Sequence, residues 1–123
     1  MAAAARGQSA CGTIEGMSPE RPSTEPSRAS VDTLPGATVI EFGTPWCGHC
    51  RAAQPAIASA LAAHPGVRHL KVEDGPGRPL GRSFGVKLWP TLVFLRDGGE
   101  RSRLVRPGDA KLVDAALAGL ETD

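Results

Sequence analysis

Apolar and polar positions change their spacing several times along the chain, and each change predicts an element. The run Ala37-Thr38-Val39-Ile40-Glu41-Phe42-Gly43 is rich in β-branched residues and bounded by Pro35-Gly36 and Thr44-Pro45, so it reads as a buried strand. Over 47–63, Ala53, Ile57, Ala60 and Leu61 recur at helical spacing until His64-Pro65-Gly66 ends the pattern. Pro55 lies inside this helix; it removes one backbone donor and crowds the preceding turn, so a kink is expected. Val67–Glu73 alternates as a second strand, Gly75-Pro76-Gly77 breaks it, and 78–84 predicts a short helix before Gly85. Thr91–Leu95 carries the strongest strand signal, and Arg96-Asp97-Gly98-Gly99 turns it into an antiparallel partner over Glu100–Val105. Pro107-Gly108 ends that strand, Asp109 is placed to cap, and Leu112, Val113, Ala116, Leu117 and Leu120 share one face of a last helix. The order β-α-β-(α)-β-β-α predicts a mixed α/β sheet, its first two strands parallel through a right-handed crossover and its hairpin adding an antiparallel edge.

Residues 1–30 show no such spacing. Ala, Ser, Pro, Gly, Glu and Arg dominate, and Ile14 is the only branched aliphatic before Val31. Such a stretch buries too little apolar surface to offset its ordering entropy, so a disordered arm over 1–30 and a folded domain over 31–123 are expected. With 123 residues, 41% of them hydrophobic, one small domain is the ceiling. Lys and Arg number 14 against 13 Asp and Glu, a balance that argues against a nucleic-acid partner. No apolar run approaches the roughly 18 residues that cross a bilayer, so no membrane partner is expected. The opening MAAAARGQSACG has no Leu/Ile/Val-rich segment, which makes a secretory signal unexpected and a cytoplasmic location and a monomer the expectation.

Cysteine usage changes the picture more. There are three, too few for a disulfide-stapled scaffold, and two of them form the C-x-x-C of Trp46-Cys47-Gly48-His49-Cys50. This motif falls where the first strand ends and the helix begins. Unpaired N–H groups and the positive end of the helix dipole stabilise an anion there, so the Cys47 thiol should drop below the free value of about 8.5. A thiolate is the attacking species in thiol–disulfide exchange, and Cys50, one turn on and more buried, can resolve the mixed disulfide. His49 can favour the thiolate by charge or hydrogen bonding. A zinc half-site is the rival reading of the pair. Zinc needs four ligands, and the remaining Cys11, His49, His64 and His69 form no second paired motif. His64 and His69 read as surface residues, Arg51 and Lys87 as solvated charge near the motif, and Cys11 as incidental.

The run from Glu41 to Arg51 resembles the active-site region of thioredoxins and protein disulfide isomerase domains. Pro55 matches the family's helix-kinking proline, and Trp89-Pro90-Thr91 resembles its cis-proline loop; the likeness covers roughly residues 37–120. It implies a thioredoxin fold, a central mixed four-stranded sheet flanked by helices, with the usual first strand and helix not evident before Val31. It also implies that Cys47 is the nucleophile, Cys50 the resolving thiol, and Glu41 the buried acid that manages the second cysteine's proton. Pro90 would be cis, the backbone before it pairing with a substrate strand, and Trp46, Trp89, Pro90 and Thr91 would meet the substrate around Gly48 and His49. No metal or organic cofactor is implied, because the cysteine pair is the redox group. Expected partners are protein disulfides or dithiols and an upstream reductase.

Three departures bear on the partner rather than on the redox pair. Gly48-His49 stands where thioredoxins have Gly-Pro, a Trp precedes Pro90, and Val105-Arg106-Pro107-Gly108 replaces the usual Val-Gly. Thiolate stabilisation by His49 would place the reduction potential between the thioredoxin and isomerase values, about −270 and −180 mV. Two other function classes remain open here: a binding module in which the cysteines are dispensable, and a redox-sensing chaperone whose oxidation changes its affinity for a dedicated client. Double Cys→Ser substitution separates the first from the oxidoreductase, and poor activity on a generic substrate despite clean redox cycling marks the second.

Overall fold

The computed structural model describes residues 25–121. Its elements are α1 (Arg28–Asp32), β1 (Ala37–Gly43), α2 (Gly48–Ala62), β2 (Arg68–Glu73), α3 (Pro79–Ser83), β3 (Thr91–Arg96), β4 (Gly99–Val105) and α4 (Ala110–Glu121). They form one four-stranded sheet in the order β2-β1-β3-β4. β1 runs parallel to β2 and antiparallel to β3, which pairs antiparallel with β4. This is the mixed sheet the apolar spacing predicts, and among the described residues no strand precedes Ala37. α2 continues unbroken through Pro55 to Ala62.

Strand alternation sorts the core into two layers. Val39, Leu92 and Phe94 face Ala53, Ile57 and Ala60 of α2 and Val113, Leu117 and Leu120 of α4. Ile40, Phe42, Val93 and Leu95 face the other way, onto Val31, Leu80 and Phe84 from α1 and α3. Glu41 lies two residues from Val39, so the same alternation turns it toward α2, and it is fully buried.

The ordered fold starts earlier than Val31. Ser27 caps α1 by accepting from the Ser30 N–H, and the Glu25 carboxylate accepts from the Leu80 N–H at the start of α3. The Arg28 guanidinium lies 3.8 Å from the Phe84 ring centre and donates to the Ser83 carbonyl at 2.7 Å. These are polar and cation–π attachments, so counting apolar residues alone underestimates the segment. The rest of the expected arm, residues 1–24 with Cys11, lies outside the described residues.

Candidate active site

Cys47 is the N-cap of α2, in extended backbone, and its Sγ accepts the Cys50 N–H at 3.2 Å. The site is thus built by the strand-to-helix junction, since β1 delivers the chain and the first turn of α2 supplies otherwise unpaired N–H groups. Cys47 is 8% exposed and Cys50 2%, and both are free thiols. Burial pushes the Cys47 thiol up. Hydrogen bonds from the Cys50 thiol and from the N–H groups of Cys50 and His49, together with the Arg106 charge, outweigh it and bring the thiol below the ordinary cysteine value.

The part played by His49 differs from the expectation. Its ring is exposed, and the group that reaches Cys47 is its backbone N–H, available from any residue in that first turn. The cation acting on the sulfur is Arg106. Gly48 is demanded neither by packing nor by backbone angle, because a Cβ there would meet nothing within 4 Å.

Beneath the motif, Glu41 anchors a polar network. Its Oε1 pairs with His69 Nε2 at 2.8 Å and its Oε2 accepts from Gln54 Nε2 at 2.6 Å. The same Gln54 amide nitrogen donates to the Cys50 carbonyl at 3.0 Å, and Gln54 Oε1 accepts from Lys71 Nζ at 3.1 Å. Burial opposes the Glu41 charge, but the His69 and Gln54 hydrogen bonds and the positive charge of His69 and Lys71 hold its carboxyl below the ordinary glutamate value. His69 is therefore not a free surface residue, its side chain being only 28% exposed. The sequence holds a signal for this pairing: His69 and Lys71 are two apart on one strand, so they share a face, and β2 sets Lys71 opposite Glu41. His64, also expected on the surface, is 12% exposed and bridges Asp114 and Glu121 of α4.

The third part of the site is the loop before β3. The Trp89–Pro90 peptide bond is cis, as the resemblance implies. Trp89 is anchored by its indole N–H to Asp74 at 2.8 Å, and Trp46 stands edge-on to it with ring centres 5.6 Å apart. Trp46 is 69% exposed, the largest apolar surface beside the cysteines. Thr91 departs from its expected place at the substrate surface: it is buried, and its hydroxyl donates to the Leu88 carbonyl within its own loop. The Trp89 carbonyl, expected to be open for a substrate strand, already accepts from Arg106 Nε at 2.9 Å. Arg106 was visible in the sequence only as a departure from Val-Gly, since nothing local says that its side chain reaches back 17 residues. Among the described residues, no three His, Cys, Asp or Glu side chains converge as a metal-ligand set.

Comparison with known proteins agrees with this geometry. The family model Thioredoxin matches residues 26–118. The structure resembles thioredoxin 2 from Pseudomonas aeruginosa PAO1 in its reduced form, with TM-score 0.76 and 57% identity over 85% of this chain and 96% of that one. A protein disulfide-isomerase A2 from Pongo abelii is 48% identical over 66 residues, half of this chain, and a thioredoxin H-type from Oryza sativa subsp. indica is 33% identical over 67 residues, 54% of it. The matched segment spans 13% of the isomerase and 55% of the H-type protein. The match across most of the described residues, together with a C-x-x-C that begins α2 at its N-cap and a cis proline in the loop before β3, makes this chain a member of the thioredoxin family.

Proposed function

We propose that the protein is a thiol–disulfide oxidoreductase that exchanges two electrons between Cys47–Cys50 and a protein disulfide or dithiol. The observation that carries this reading is the Cys47 sulfur capping α2 under the Cys50 N–H, with its thiol lowered. In the reducing direction, the Cys47 thiolate attacks one sulfur of the target disulfide. A Cys47–target bond forms as the target S–S bond breaks, and the other target sulfur leaves as a thiolate. Cys50, deprotonated, then attacks the Cys47 sulfur, so that Cys47–Cys50 forms and the second target thiolate departs. Both target thiolates take up protons, and a dithiol reductase restores the pair. Glu41, tied through Gln54 to the Cys50 backbone, is the acceptor for the Cys50 proton in this scheme. The exposed Trp46, braced by Trp89, offers the target an apolar contact.

Thiolate stabilisation lowers the free energy of the reduced form and raises the potential. Cys47 draws it from backbone N–H groups and Arg106, which supports a midpoint between about −270 and −180 mV. A redox titration with thiol trapping and mass readout tests the proposal. The expected result is one reversible two-electron transition confined to Cys47 and Cys50 within that range. No transition there would overturn the reading. Client effects that survive Cys47→Ser combined with Cys50→Ser would favour the binding module instead.

A further inference from the structure

Two described non-glycine residues adopt positive φ, Asp97 and Arg106, both at +51°. Asp97 sits in the β3–β4 hairpin turn, where that conformation is usual. Arg106 follows β4 outside any hairpin, and a Cβ makes the left-handed region unfavourable there. The residue is nonetheless held firmly. Its N–H donates to the Pro90 carbonyl at 2.9 Å and its Nε to the Trp89 carbonyl at 2.9 Å. The Nε bond orients the planar guanidinium and uses one of its five donors. Its two terminal nitrogens have no partner among the described residues.

Arg106 also lines a cavity of about 320 Å³ with His49. Ala52, Ala53 and Ala56 on α2 and Pro107 supply its apolar lining. No carboxylate contributes to it. A small apolar recess beside the motif, next to a pre-oriented fork of unused donors, matches a planar anion at the end of a short aliphatic stem.

We propose that Arg106 and the adjoining recess form a carboxylate-accepting subsite, selecting target segments that carry Glu or Asp next to the disulfide. This inference rests on the oxidoreductase reading and adds a substrate preference to it. Arg106 is a binding residue here. Its acidic ligand belongs to the target polypeptide, and the bidentate pair forms as the target approaches Cys47, before any bond is exchanged.

The test uses the full chain and three disulfide peptides, with Glu, Gln or Lys flanking the reacting cysteine. The wild type should reduce them in the order Glu, Gln, Lys, each step worth roughly fivefold in kcat/KM, the size of a well-oriented but exposed ion pair, and carried mainly by KM. Arg106→Gly removes the side chain and suits the positive φ, so folding is not at stake; the three peptides should then agree within about twofold. Arg106→Glu should reverse the order. Selectivity that persists in Arg106→Gly overturns the subsite. So does an equal loss on all three peptides, because Arg106 would then act only through the Cys47 sulfur or the Trp89 carbonyl. Failure of the wild type to reduce any of the three strikes instead at the oxidoreductase reading.

Discussion

Replacing His64 with Gln should destabilise the protein in acid far more than in base. His64 follows the last turn of α2, the helix that carries both cysteines, and ties it to α4. Nδ1 meets Glu121 Oε1 at 2.5 Å and Nε2 meets Asp114 Oδ1 at 2.7 Å. A neutral imidazole has one N–H, so it can serve only one of these carboxylates, and the arrangement selects the doubly protonated ring. The Glu121 and Asp114 hydrogen bonds therefore raise the His64 pKa. A histidine raised in the folded state stabilises fully below its unfolded value of about 6.5, and that stability is lost as pH rises through the folded pKa. The ring is 12% exposed but its partners are 54% and 37% exposed, so each pair is discounted to the surface range, about 0.5 kcal/mol, and the two together give about 1 kcal/mol. For a domain of this size that is about 4–8 °C in Tm. Thermal unfolding of wild type and His64→Gln at pH 5.5 and pH 9 should show this loss at pH 5.5 and a small fraction of it at pH 9. Equal losses at both pH values, or a larger loss at pH 9, would refute the argument, because His64 would then be acting by packing.

Other consequences can be checked separately. Alkylation of the reduced protein should modify Cys47 before Cys50, with a midpoint below the free-thiol value of about 8.5; rates that climb only above pH 9 would contradict the capping argument. Glu41→Gln should leave the first exchange intact and slow the second, so that mixed disulfide accumulates in quenched-flow samples, whereas unchanged resolution would remove Glu41 from the proposed scheme. Gly98→Ala should cost about 1–3 kcal/mol in denaturant unfolding, since φ there is +83° and a Cβ would overlap the Asp32 carbonyl at the end of α1. A neutral result would mean that the β3–β4 turn is not pressed against α1.

The apolar, β-branched runs at 37–43 and 91–95, the alternation over 67–73, helical spacing in 47–63 and 110–120, and the turn residues at 96–99 were each legible because the forces behind them act within a few residues. The chemistry of the cysteine pair was legible for the same reason. Thiolate stabilisation comes from the first turn of the very helix that Cys47 begins, and a two-residue spacing sets Cys50 one turn away. The partners that refine this site are not local. Glu41 meets His69 28 residues on, His64 meets Glu121 57 residues on, and Glu25 reaches Leu80 across 55. Arg106 turns back to Trp89 because a positive φ after β4 aims its side chain at the proline loop. Whether a charged side chain is solvated or paired depends on which strand lies beside it and in what register. Sterics and hydrogen bonding along the chain were enough to specify every element except α1, and with them the reactive pair. Which histidine holds the buried acid, and which arginine lends its charge to the sulfur, follows instead from sheet pairing and helix packing, because these bring together charges that lie far apart along the chain.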